Sequence, residues 1–368
     1  MFSFGKMAVA IPSIYIVYDY CKDPSASIHI IIGKALRQID PEQSHSWSVK
    51  LSSMFTIKPN TVKIPCTILG HVIDSPIGIA AGYSKNGEAI STLENIGFGI
   101  IEIGSITPCP QEGNDKPRVF RLEDIEAIIN RYGFNSDGHS IVASRLQNKT
   151  TNESKLFGIN LGKNKYPQVS AADDYIQGLK RFSNLADYMV INISSPNTPG
   201  LRALQGKQQL SDLFKSIKPH AKIPILLKVA PDLHDSDILD ICDTIKENTF
   251  IKGLIISNTT ISRPINHHNS SELGGLSGKP LYPLMKSTLS KFCTELKEDI
   301  KSKQLVIIGC GGISTSDQIL ELGRMGCSAV QLYTSLVYNG IGLIHQLNTE
   351  LKDKLGSQKW DDIVGSHL

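Results

Sequence analysis

No Cys-x-x-Cys pair occurs in the chain, and its seven cysteines (Cys21, Cys66, Cys109, Cys242, Cys293, Cys310, Cys327) are scattered and odd in number. That pattern excludes a disulfide framework or a structural zinc site and points to a reducing compartment. An excess of one charge is also missing. The formal net charge is +3, with Lys and Arg spread along the sequence, which excludes a nucleic-acid footprint. Long apolar runs are missing too: Met7 to Tyr18 is apolar but falls short of the ~20 residues that span a bilayer. The first residues carry Lys6 but no Arg-rich amphipathic segment, so no organelle-import signal is evident.

What is present describes a folded chain. The 368 residues are 40% hydrophobic and 20% charged, enough for a sizeable core. An α/β barrel needs about 250 residues, so one barrel plus an extension fits the length. Residues 26–54 read as helical, with Ile28, Ile31, Ile32, Ala35, Leu36 and Ile39 at helix-like spacing, followed by His45, Trp47, Val49, Leu51 and Met54. These helices either pack on the main domain or form a module for a membrane surface or a lipophilic substrate. The expected division is an N-terminal unit over 1–56 and a barrel over 57–368.

Eight β-branched apolar runs follow: Ile77 to Ala80, Gly99 to Ile106, Phe157 to Leu161, Tyr188 to Ile193, Pro224 to Val229, Gly253 to Ile256, Leu305 to Gly309 and Ala329 to Leu332. Continuous apolar strands alternating with amphipathic helices signal a parallel sheet covered on both faces. Eight such units favour a closed (β/α)8 TIM barrel, with a small N-terminal helical extension.

Barrel active sites form at the C-terminal ends of the strands. Here those ends are rich in Asn, Ser and Thr with a few lysines; they contain no histidine and few carboxylates. That argues against a metal hydrolase. Such a ring suits a planar ligand with many acceptors, with Lys meeting a localised negative charge. Gly309-Cys-Gly-Gly312 after the seventh strand and Tyr333-Thr334 after the eighth occupy the usual barrel phosphate site. There glycines admit backbone N–H groups and a following helix adds its dipole. Gly274-Gly-Leu-Ser-Gly278, in the preceding loop, offers a second clamp. A phosphate-bearing cofactor such as FMN is the expected occupant.

Longer motifs add a resemblance. Gly78-Ile-Ala-Ala-Gly82, Glu102-Ile-Gly-Ser105, Pro110-Gln-Glu-Gly-Asn114, Pro117-Arg-Val-Phe-Arg-Leu122, Ile129-Asn-Arg-Tyr-Gly-Phe-Asn-Ser136, Asn160-Leu-Gly-Lys-Asn164, Ser194-Ser-Pro-Asn-Thr198, Asn258-Thr-Thr260 and Gly274-Gly-Leu-Ser-Gly-Lys-Pro-Leu281 occur in order. From about Ile39 to Leu351 the chain resembles the dihydroorotate dehydrogenases, and within them the class 2, quinone-linked, membrane-associated type. The resemblance implies oxidation of dihydroorotate to orotate in pyrimidine (UMP) biosynthesis, with ubiquinone as acceptor. It implies a location at the mitochondrial inner membrane.

It implies FMN contacts from Ala80, Ala81, Lys85, Ser105, Asn160, Asn192, Lys228, Ser257, Ser277, Gly278, Gly311, Gly312, Tyr333 and Thr334. Lys228 would stabilise negative charge on reduced flavin; the plain structural alternative is a pair with Asp232. Substrate would be held by Asn130, Asn192, Asn197, Asn258 and Thr259, with Lys85 near its carboxylate. Ser195 would be the base that removes the C5 proton, where class 1 enzymes use cysteine. Thr198 and Phe134 match the positions that shape its proton relay, and His45, Arg121 and Tyr333 match the inner end of a quinone tunnel formed by the N-terminal helices. Against the family pattern, Ser84 replaces a common aspartate beside Lys85, Ser257 a threonine, Cys310 a valine and Cys109 a polar residue. Two rival readings remain: a Schiff-base lyase built on Lys228 or Lys85, and a catalytically silent barrel. Within the dehydrogenase reading, fumarate or NAD is the alternative acceptor.

Overall fold

The computed structural model describes residues 27–54, 61–149, 152–166, 170–265 and 267–368. The run Met7 to Tyr18 and the expected boundary at 56/57 lie outside the described residues. Eight parallel strands close a barrel: β3 Ile77–Ile79, β4 Ile100–Ile106, β7 Leu156–Leu161, β8 Tyr188–Asn192, β9 Ile225–Val229, β10 Ile251–Ile256, β12 Val306–Cys310 and β13 Ala329–Leu332. β13 returns to pair with β3, Val330 opposite Ile77. The expected runs coincide with these strands; the largest displacement is β10, which starts at Ile251 and not Gly253. Both faces of the strands are buried, which is why their sequences are apolar without alternation.

One glycine matters to the interior. Gly158 of β7 lies opposite Tyr188 of β8, and a Cβ there would sit 2.1 Å from Tyr188 Cζ. Its bare backbone lets the Tyr188 ring cross β7 and reach Glu102 on β4, to which its hydroxyl donates at 3.1 Å.

Five more strands were not expected. β1 Cys66–Ile68 and β2 His71–Ile73 form a hairpin before the barrel. β5 Val119–Leu122, β6 Ala127–Asn130 and β11 Gly275–Gly278 form an antiparallel sheet, β5 and β6 arising in one connection of the barrel and β11 in another. The Gly274–Gly278 segment, read above as a loop, is therefore mostly strand. These strands are short, and β11 pairs with β6 across a long stretch of sequence, a contact that local periodicity cannot reveal.

The N-terminal helices run Ser27–Arg37 and Pro41–Met54. The second starts where Asp40 Oδ1 accepts from the Glu42 and Gln43 amides at 3.0 and 2.9 Å, with proline in the first turn. Its inward face is mixed: His45 and Leu51 line the cavity and Val49 packs on the core, as expected of a helix on the main domain. Ser44 and Ser52 are buried, Ser48 and Ser52 bond the Tyr83 hydroxyl at 2.7 and 3.2 Å, while Trp47 and Met54 are exposed. Glu42 pairs with Arg118 at 2.7 Å, and Arg121 donates to the Arg37 and Ile39 carbonyls at the break between the helices. No helix among the described residues is long and apolar enough to cross a membrane.

Candidate active site

The floor of the site is built where polar side chains interrupt apolar barrel strands. Glu102 on β4 accepts from Asn160 Nδ2 at 2.9 Å and Gln331 Nε2 at 2.7 Å, and the Lys228 ammonium on β9 lies 3.8 Å away. Asn160 Oδ1 in turn accepts from Ser105 and from Asn192 Nδ2. Asp232 is not the partner of Lys228: its carboxylate is taken by Arg202 at 2.8 Å, by the Thr260 and Ser262 hydroxyls and by the Ile261 amide. That corrects the structural alternative raised for Lys228. The lysine is left aimed between Glu102 and the cavity that it lines.

Above the floor, the turns after β8, β9 and β10 meet. Ser195 is 7% exposed and its Oγ accepts from the Asn197 amide at 3.3 Å. Asn258 Nδ2 donates to Asn192 Oδ1 at 3.3 Å and to Ser194 Oγ at 3.0 Å, and its Oδ1 accepts from the Thr259 amide at 2.7 Å. Asn197 Nδ2 reaches the Asn130 carbonyl on β6 at 3.1 Å. Arg202 joins the three turns: it donates to the Ser194 carbonyl at 3.0 Å, to Asp232 and to the Thr259 carbonyl at 2.9 Å. Thr198 Oγ1 is buried without a hydrogen-bond partner. Phe134 takes a left-handed backbone, φ 57°, a conformation sparsely used outside glycine and concentrated at functional sites; its ring lies over Gly162.

At one end of the cavity the glycine loop is pressed against β11 and the segment after it. Gly312 has φ 71°, and a Cβ there would lie 2.6 Å from the Tyr282 amide nitrogen and 2.7 Å from the Gly278 carbonyl oxygen. Thr334 donates to Ser277 Oγ at 2.9 Å, and the Ser335 hydroxyl is buried and partnerless. The helix following Tyr333 is only Thr334–Asn339, so bare amides and hydroxyls dominate here and the expected dipole adds little.

Where the second N-terminal helix lines the cavity, His45 sits among Tyr83, Tyr132 and Tyr333, with ring centroids at 5.8, 6.4 and 6.2 Å. Its Nε2 lies 2.7 Å from the Tyr83 carbonyl, so that nitrogen carries the proton and Nδ1, 3.5 Å from the Tyr132 hydroxyl, is the acceptor. Burial, then the nearby Lys85 charge, lower its pKa to about 4. Lys85 lies 3.3 Å over the Tyr132 ring and donates to Asn135 Oδ1; burial, then Arg118, lower its pKa to about 7. Ser84 faces away, accepting from the Ala89 amide at 3.1 Å, so its departure from the family pattern leaves Lys85 oriented by Tyr132 and Asn135.

These parts line one continuous cavity that runs from the glycine loop to the N-terminal helices. His45, Ala80, Ala81, Lys85, Ser105, Arg121, Asn130, Phe134, Asn192, Ser195, Asn197, Lys228, Ser257, Asn258, Thr259, Ser277, Gly278, Gly311, Gly312, Tyr333 and Thr334 all line it; Asn160 and Thr198 lie behind the lining. Residues not singled out beforehand are Tyr83, Tyr132, Gln331, Ser335 and, as a participant, Glu102. For Glu102 and Gln331 the signal was available: each is a polar residue inside an otherwise apolar barrel strand.

With the geometry in place, comparison adds the relatives. Residues 63–355 match a sequence model of the family described as dihydroorotate dehydrogenase. The mitochondrial dihydroorotate dehydrogenase (quinone) of Mus musculus is 42% identical over 89% of this chain and 86% of its own. The dihydroorotate dehydrogenase (quinone) of Bartonella tribocorum is 41% identical over 89% and 93%. The crystal structure of the Eimeria tenella enzyme in complex with ferulenol superposes with a TM-score of 0.82 at 35% identity, covering 89% of this chain and 96% of that one.

Proposed function

The chain belongs to the dihydroorotate dehydrogenase family, to its quinone-linked class, and from that premise we propose how its residues oxidise dihydroorotate to orotate and pass the electrons to a quinone in pyrimidine biosynthesis. The carrying observation is the single cavity that joins the glycine cradle, the ring of asparagines and the N-terminal helices. Cofactor, substrate and quinone would thereby meet along one continuous lining.

FMN is the cofactor we assign. The partnerless Ser335 hydroxyl, the bare Gly311 and Gly312 backbone and the Thr334 hydroxyl suit its phosphate. Ala80, Ala81, Ser105, Asn160, Asn192, Lys228, Ser257, Ser277, Gly278 and Tyr333 would hold the remainder. FMN, when bound, supplies a two-electron acceptor for the substrate hydride and a donor to quinone. The chain's residues do the rest. Asn130, Asn192, Asn197, Asn258 and Thr259 present donors and acceptors to the pyrimidine edge. Ser195 takes the C5 proton, and Thr198 with Phe134 shapes the route by which that proton leaves. Lys85 meets the substrate carboxylate.

Lys85 gives this reading a pH signature. An amine with its pKa near 7 is charged below that pH and loses its charge above it. Orotate affinity should therefore weaken as pH rises through 7, by up to about tenfold per unit. Titrating the flavin absorbance with orotate from pH 6 to 9 reads this directly. Lys85→Met should flatten the profile; a flat profile in the unaltered protein would remove Lys85 from the carboxylate site.

His45, Arg121 and Tyr333 would face the quinone. Replacing His45 by Ala should slow flavin reoxidation by a soluble ubiquinone up to about tenfold, the value of one hydrogen bond, and leave flavin reduction by dihydroorotate unchanged. Equal loss in both half-reactions would argue against this placement. The exposed Ile31, Trp47 and Met54 on the helix pair support its role as a membrane-surface unit over 1–56 that guides ubiquinone inward. Mitochondrial names among the relatives support that organelle as the location, and we assign the inner membrane as the surface.

The direct test of the whole reading is purification. The protein should be yellow, dihydroorotate should bleach it anaerobically, and quinone should restore the colour far faster than fumarate or NAD. Fast turnover with fumarate and none with quinone would overturn the placement of the quinone site. A colourless, flavin-free protein would instead favour the lyase alternative, which the anchored position of Lys228 against Glu102 disfavours.

A further inference from the structure

Glu102 is 1% exposed, and nothing in the functional reading uses it. A carboxylate at this depth is costly to hold unless it is paired and hydrogen-bonded. Barrel interiors are ordinarily filled by Val, Ile and Leu, which would occupy the space without that cost. Instead three donors converge on its oxygens, Asn160 Nδ2 at 2.9 Å, Tyr188 Oη at 3.1 Å and Gln331 Nε2 at 2.7 Å, with Lys228 Nζ at 3.8 Å. The donors come from three other strands of the barrel. Tyr188 reaches it only because Gly158 carries no side chain. The construction fixes the Glu102 carboxylate beside the Lys228 ammonium at the floor of the cavity.

We propose that Glu102 is a positioning residue for the redox step: it anchors the Lys228 ammonium at the cavity floor and offsets part of its charge, and so sets how strongly the bound flavin favours its reduced form. This rests on the FMN reading above. A cation beside the flavin stabilises the reduced, more negative state. Uncompensated, it would ease reduction by dihydroorotate and hinder transfer to quinone. A carboxylate 3.8 Å from the ammonium opposes that field.

The test is the midpoint potential of the flavin-loaded, substrate-free protein, read anaerobically against a redox dye of known potential. In Glu102→Gln the reduction equilibrium should move about tenfold toward reduced flavin, a rise of about 29.6 mV for a two-electron couple. The fold should survive this change. Gln331 Oε1 has no partner in the unaltered protein, and a turn of that amide lets it accept from the new one. Lys228→Gln should move the equilibrium the opposite way. In the Lys228→Gln background the added Glu102→Gln change should have less effect, because the part of it that acts through the position of the ammonium is gone.

Flavin bound at full occupancy with an unchanged or lowered potential in Glu102→Gln overturns the inference and leaves the functional reading standing. A protein that binds no flavin in its unaltered form overturns both. Should Glu102→Gln fail to fold, Glu102→Asp withdraws the charge by one methylene and keeps its acceptors; a smaller rise is then expected, and none would be decisive against the proposal.

Discussion

Ser195→Ala should slow anaerobic flavin reduction by dihydroorotate by roughly 10²–10⁴-fold, the contribution of a positioned general base. Flavin content and orotate affinity should be retained. The substitution is mild structurally. It removes one oxygen from a buried side chain and leaves the Asn197 amide without its 3.3 Å acceptor, while Asn197 keeps its contact with Asn130 and Asn258 its contacts with Asn192 and Ser194. Serine is a weak base at its free pKa and needs an outlet for the proton it gains. The Thr198 hydroxyl, three residues on, is buried with no hydrogen-bond partner and is free to take part in such an outlet. Single-turnover bleaching in a stopped-flow instrument isolates this step from quinone chemistry. An unchanged bleaching rate would remove Ser195 from the role of base.

Gly312→Val should yield protein purified without flavin. At φ 71° a β-branched residue is strained, and its Cβ would press on the Tyr282 amide and the Gly278 carbonyl at 2.6 and 2.7 Å. Relieving that contact opens the cradle from the side that would hold the phosphate. Because the barrel strands are untouched, the circular dichroism of the variant should match the parent. Added FMN should raise the melting temperature of the parent stripped of flavin and leave the variant unmoved, since only a bound ligand stabilises by mass action. A variant that retained full yellow colour would refute the cradle.

Much of the architecture was legible because parallel barrel strands are buried on both faces and so read as unbroken apolar runs. The limits of that signal are equally physical. β5, β6 and β11 are too short and mixed for any period to emerge, and β11 gains its partner from far away in the chain. Trp47 and Met54 were grouped with the residues of a helix packed on the barrel, yet the helix buries Ser44 and Ser52. Hydropathy does not separate Val49 and Leu51, which turn inward, from Trp47 and Met54, which do not. Motifs brought the mouth of the barrel together, including Asn130 from β6. They passed over Glu102 as part of Glu102-Ile-Gly-Ser105, although a lone carboxylate in the strand Ile100–Ile106 is costly enough to demand a reason.

Arg202 adds a mechanical consequence. One guanidinium holds the Ser194 carbonyl, the Asp232 carboxylate and the Thr259 carbonyl, so the turns after β8, β9 and β10 share a single rivet. None of them can swing outward by itself while that group stays seated. A shift in any one of these turns is therefore transmitted to the other two, and to Ser195, which directly follows Ser194 in the first of them.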